Sequence, residues 1–360
     1  MKDKTKAEPL QSSLPIGQKE LDHFEAVYAG YRKLHEEPDS CRPMLKINTP
    51  VPMPTWEEKL ADPLVMLQSE LDKIRPHLAI GDDTVPSVRV QFGTAQIAAA
   101  FGCELFYPQN NLPAAGSHVL EDLDDIENLQ IPELKAGLFD KLYEWTDIWK
   151  QQLPPGVQIQ IFDVQSAFNS AHLIRGNEIL IDFYDDPDAV GTLLDKVTEF
   201  MLKVTRYYKP LISDDTEFFL DWGSMWKGTA RISNCSMQMI SPEFYEQHVL
   251  PKDVRYLEEI GGGRMHYCGI TARVIDKFFE IPCLSGFDFD TTRHDFFEVC
   301  EKAPEQVVLT PTGAFGKDSP EIKRMLAGDW PSKRNLVIPV SVDSVEEGIQ
   351  LLHQLKRSMP

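Results

Sequence analysis

Apolar runs of strand type alternate with segments of helical spacing along most of this chain. Strand patterns run from Ser87 to Phe92, Glu104 to Tyr107, Val157 to Phe162 and Glu217 to Leu220. They continue through the stretch Gly261–Gly269, then Leu284 to Asp288, Gln306 to Leu309 and Asn335 to Val340. Helical spacing lies between and after them, as over Asp186 to Tyr208, Thr271 to Glu280 and Ser344 to Lys356. Ser241-Pro242-Glu243 supplies an N-cap, a proline at the first helical position and an acid in the first turn. About eight strand–helix units over roughly 270 residues predict an α/β protein, a closed (β/α)8 TIM barrel, at 86–360. Gly261-Gly262-Gly263 precedes a strand instead of following one, so it reads as a helix stop and not as a phosphate loop. Residues 1–85, with helices expected over Leu21–Leu34 and Asp62–His77, read as a helical and irregular N-terminal extension, a cap or subunit-contact segment of a homo-oligomer.

Composition narrows the partners. Hydrophobic residues make up 42% of the chain, enough for a sizeable core. Asp and Glu number 56 against 36 Lys and Arg, a net charge of −20, which repels nucleic acid and anionic membrane surfaces. The start, Met1 to Pro15, is polar and lacks a signal-peptide core, and the six cysteines are scattered, so a reducing cytoplasm is expected.

The candidate chemistry gathers at expected strand ends. His266 and Cys268 stand two apart and leave one face of their strand, two-thirds of a catalytic zinc site. The same pair also fits a buried strand without metal. Cys235, in the long loop expected between Trp222 and Ile240, is the best-placed third sulfur, although a loop cysteine with no ligand role fits equally. Asp163, Gln165 and Asp221, with Gln91, Asp288 and Asp290, end strands on the same rim and predict a polar pocket. Trp222 and Trp226 are positioned to cover a flat cofactor, or to form a lid packed on its own barrel.

Several stretches resemble the uroporphyrinogen decarboxylase superfamily, in its cobalamin-dependent methyltransferase branch. They are Gln91-Phe92-Gly93-Thr94, Phe162-Asp163-Val164-Gln165, Ile240-Ser241-Pro242-Glu243-Phe244-Tyr245 and His266-Tyr267-Cys268-Gly269. The decarboxylases carry an Arg-Gln-Ala-Gly-Arg segment near the N-terminus that grips porphyrin carboxylates. Here Arg32, Arg42 and Arg75 stand apart, which argues against uroporphyrinogen itself as substrate. The resemblance implies a (β/α)8 barrel that moves a methyl group between a corrinoid on a carrier protein and a thiol or related acceptor. Zinc, held by His-x-Cys and a distant cysteine, binds that thiol. The branch's distant cysteine is missing, since the last strand reads Ile338-Pro339-Val340-Ser341-Val342-Asp343. Cys235 or Asp288 completes the site, or the metal binds weakly, or the pocket serves another reaction. The alternatives are a metal-independent decarboxylase-type lyase on a smaller acid and a non-catalytic corrinoid- or metal-binding subunit.

Overall fold

A computed structural model gives the structure of the protein and describes residues 14–360. The reading of Met1–Pro15 as free of a signal core therefore falls almost wholly outside the described residues. Among the described residues no helix is long and apolar enough to cross a membrane.

Eight strands circle a common interior. They are β1 (Met44–Asn48), β2 (Ser87–Val88), β3 (Gln158–Ile159), β4 (Ala230–Ser233), β5 (Gly263–Tyr267), β6 (Leu284–Phe289), β7 (Val308–Pro311) and β8 (Val337–Ser341). Parallel ladders join β4 to β5, β5 to β6 and β6 to β7, and also β8 to β1 and β2 to β3. Parallel bridges Gln165–Ser233 and Leu309–Leu336 close the joints from β3 to β4 and from β7 to β8. Helices follow the strands, and several begin where the sequence supplies a cap. Asp62, Asp186, Ser241, Asp295, Ser319 and Ser344 each accept a hydrogen bond from a backbone N–H of the first turn.

The joint between β1 and β2 is made differently. No ladder connects these strands, and two buried carboxylates take its place. Asp83 accepts from Leu45 N at 2.8 Å and Asp82 from Ile47 N at 2.5 Å, while Asp83 N donates back to Leu45 O at 2.8 Å. This seam satisfies the backbone of β1 with side chains.

Two expected strands do not belong to the ring. Leu105–Phe106 pairs antiparallel with Ala114–Ala115 in a separate two-stranded ribbon. Phe218–Asp221 pairs antiparallel with Ser224–Lys227. Their places are taken by β4 and β1, the latter inside the stretch 1–85 that reads as helical and irregular. The long loop expected from Trp222 to Ile240 is in fact half of a hairpin followed by β4.

That hairpin lies within the barrel. Gly228, at φ +109°, leaves it against Gly262 just ahead of β5, where a Cβ would come 2.2 Å from the Gly262 carbonyl oxygen. Trp226 is 1% exposed and packs on Gly286 of β6, where a Cβ would lie 2.5 Å from its ring. At the tip, Trp222 (φ +51°) and Gly223 (φ +64°) form a two-residue turn of the type that fits a tight hairpin. Trp222 N donates to Gln160 Oε1 at 2.8 Å, which ties the tip to the β3 segment.

Candidate metal centre

The ends of adjacent strands β4 and β5 bring the chemistry together. His266 is the fourth residue of β5 and Cys268 follows the strand directly. Cys235 opens the short turn Cys235–Met239 after β4. Between them Asn234 N donates to His266 O at 2.9 Å, and its side-chain amide donates to the buried Asp253 at 2.5 Å. Beneath the turn, Asn169 accepts from Ser236 N at 2.9 Å and donates to Ser233 O at 2.7 Å. These bonds fix the two loops against each other.

The ligand atoms of Cys235, His266 and Cys268 all lie within 4.8 Å of one another, and the two sulfurs are 2.8 Å apart. His266 is 8% exposed, Cys235 half-buried and Cys268 open to solvent. His266 Nδ1 donates to Asp288 Oδ2 at 2.5 Å, which leaves Nε2 toward the sulfurs. Asp288 also accepts from Thr312 Oγ1 at 3.1 Å and pairs with Arg264 at 3.0 Å. It therefore supports the imidazole from behind and is not a third ligand.

Electrostatics favour a thiolate here. The hydrogen bond shared with Cys235, and then the neighbouring His266, hold the Cys268 thiol down to about 5. The same bond and burial push Cys235 up. Burial would depress His266, but Asp288 outweighs it and the imidazole is raised. Two sulfurs and a carboxylate-backed imidazole suit a borderline cation such as zinc, with a position left for an exogenous ligand.

Beside the cluster lies a cavity of about 590 Å³, with Trp222, Arg264 and Asp288 among its walls. Trp222 is 47% exposed and its ring centroid is 6.4 Å from that of His266. Trp226 is enclosed in the barrel, under the Arg264 guanidinium at 4.6 Å, and lines the same cavity lower down the hairpin.

Asp163 and Gln165 are near the cluster, engaged with protein. Gln165 donates to Asp163 at 2.8 Å and accepts from Asn169 at 3.0 Å, while Asp163 pairs with Arg231. Burial opposes the charge on Asp163, and Arg231 and Arg89 overcome it, so its carboxyl is lowered. Asp221 has no exposed surface and sits among Arg89, Arg231 and Arg264. Its carboxylate balances arginines in the barrel interior instead of facing the rim. Asp290 is apart, accepting from Thr292 N and Oγ1 at 2.8 and 2.7 Å.

Arg89, Arg231 and Arg264 are functional candidates not foreseen from the sequence. A clamp of the decarboxylase type would be one contiguous segment near the N-terminus, whereas these cations converge from three separate strands or strand extensions. A period-two reading could have found one of them, because Arg264, His266 and Cys268 share a face.

A (β/α)8 protein with a thiol–imidazole cluster at its rim is thus the class that fold and site define. Residues 55–218 match the family model described as "Uroporphyrinogen decarboxylase (URO-D)". The resemblance read from the sequence is borne out over these residues, a stretch that ends before Cys235. Among solved structures, the "methyltransferase from Methanosarcina mazei" is 14% identical, with a TM-score of 0.66. That alignment covers 93% of this chain and 98% of the other, and it shows a shared fold. The curated proteins contain no match to the sequence.

Proposed function

We propose that this chain is a methyltransferase of the URO-D superfamily that moves a methyl group between a corrinoid and a thiol or related acceptor. The corrinoid is carried on a separate protein. The reading rests on one observation, the convergence of Cys235, His266 and Cys268 with Asp288 behind the imidazole. The structural neighbour from Methanosarcina mazei is itself a methyltransferase, which supports it. These three side chains would hold zinc, which when bound lowers the pKa of an acceptor thiol so that a thiolate exists at neutral pH.

The chain's own groups have definite tasks in this scheme. Asp288 orients His266. Asn234 and Asn169 keep the two ligand loops in register. Trp222 offers a flat apolar face beside the cluster, and its neighbours Arg231 and Arg89, 5.4 and 6.0 Å from the ring centroid, keep it in place. Free thiols throughout the chain accord with a reducing, cytoplasmic setting.

Elemental analysis of protein purified without chelator tests the metal, and loss of methylcobalamin absorbance on adding a thiol tests the transfer. About one zinc per chain is expected, lost with transfer in Cys268→Ser. Full transfer by metal-free protein would overturn the proposal. One observation favours the lyase alternative: Lys46, Arg89 and Arg264 line the cavity and suit a small carboxylic acid. Turnover of such an acid that survives Cys268→Ala would select that reading.

A further inference from the structure

The cavity is itself lined by an imidazole held by a carboxylate, that of His77. His77 lies in the last turn of helix Pro63–Ile80, which ends at Gly81 in the left-handed region and turns the chain back through Asp82. His77 Nδ1 is 2.8 Å from Asp82 Oδ2. Asp82 is 1% exposed, and its carboxylate also accepts from Ile47 N at 2.5 Å and Thr84 N at 3.0 Å. Backbone groups thus fix the carboxylate, and the carboxylate fixes the ring. With Nδ1–H directed at Asp82, the lone pair of the neutral ring is on Nε2. Among the described residues Nε2 has no hydrogen-bond partner, and His77 lines the same cavity as Arg264, Asp288 and Trp222.

The seam explains how a residue on an outer helix reaches this space. A ladder between β1 and β2 would wall the helix off, whereas here Glu70, Lys73 and His77 all line the cavity. The groups around His77 are known. Asp82 carries the partner charge; Lys46 reaches in from β1, Glu70 and Lys73 pair with each other, and Arg89 lies on the extension of β2. His23 binds the Asp82 carbonyl at 2.8 Å, and Arg264 and Asp288 face from across the cavity.

Resting on the methyl-transfer reading, we infer that His77 is the proton acceptor of this cavity for an acceptor molecule with an ionisable X–H group. As the acceptor binds, the X–H bond breaks, its electron pair stays on X, and the proton passes to His77 Nε2 and then to solvent. The pair on X then forms the X–C bond, and the former bonding pair of the methyl group leaves with the donor. Asp82 stabilises the imidazolium so formed.

The test is the pH profile of transfer to a thiol by the full chain and by His77→Gln, whose amide takes no proton. The wild type loses rate as pH falls. In His77→Gln, kcat/KM drops on the order of 10²-fold and that acid limb disappears, while zinc content and thermal unfolding stay unchanged. Added imidazole restores rate to His77→Ala. A His77→Gln enzyme with the wild-type rate, or one slowed equally at every pH with its acid limb intact, overturns the inference and leaves methyl transfer standing. A wild type that transfers no methyl group removes the reading beneath it, and the inference with it.

Discussion

Asp288 Oδ2 lies 2.5 Å from His266 Nδ1, so the imidazole that faces two sulfurs is held by a carboxylate whose other oxygen is engaged by Arg264. Asp288→Asn replaces that anion with an amide that no longer selects the ring tautomer. Zinc affinity, measured by competition with a chromophoric chelator, is expected to fall about 10- to 100-fold. Unchanged affinity would show that Asp288 serves Arg264 alone.

The two sulfurs differ in acidity, and alkylation reads the difference. In metal-free protein Cys268, held down to about 5, is already thiolate at neutral pH. Its reaction with iodoacetamide should be nearly independent of pH from about 6 to 8 and slow down below about 5. Cys235 should lag behind it throughout. Peptide mass spectrometry of a short labelling pulse checks the order, and equal labelling of both sites would contradict it.

Removing Asp221 strips the shared counter-ion from three buried arginines. Asp221→Asn should destabilise the fold by about 3–5 kcal/mol, because breaking a buried pair leaves an uncompensated charge. Denaturant unfolding measures this. A loss under about 1 kcal/mol would mean that Asp163 and Asp288 carry the balance without it.

Stability should depend on pH with two opposed limbs. Asp82, Asp163 and Asp288 all have lowered carboxyls in the fold, for burial is outweighed by His77, by Arg231 and by Arg264 respectively. Their contribution is complete above the unfolded value of about 3.9 and is lost as pH falls through the folded values. Asp253 is the reverse, raised to about 7 by burial against its bonds to Asn234 and Tyr245. Its contribution is complete below about 3.9 and declines as pH rises toward 7. Urea midpoints from pH 3 to 8 should show both limbs. Asp253→Asn should flatten only the decline between about 4 and 7, and an unaltered decline would remove Asp253 as its cause.

The sequence carries the Cys–His–Cys cluster more openly than the rest of the site. His266 and Cys268 are legible because strand geometry sends both to one face, and capping residues such as Ser241 and Asp295 mark helix starts locally. Cys235 follows once a strand–helix loop is placed on the rim. The interior hairpin is not legible, since Phe218–Asp221 has the same pattern whether it lines a barrel or fills one. β1 is equally obscure: Met-Leu-Lys-Ile-Asn sits among prolines, and its partner β8 is almost 300 residues away. The arginines and the His77–Asp82 pair share this cause, being assembled from segments whose proximity only the closed ring creates.

The hairpin in the lumen has a consequence for substrate range. In an ordinary barrel the floor beneath the ligand is laid by strand side chains, and altering it disturbs the core. Here Trp222 and Gly223 at a reverse turn form part of that floor, tethered by Gln160 and Lys46. The depth of the binding space is accordingly set by a plug, and exchanging its head resizes the chamber while every parallel ladder stays intact.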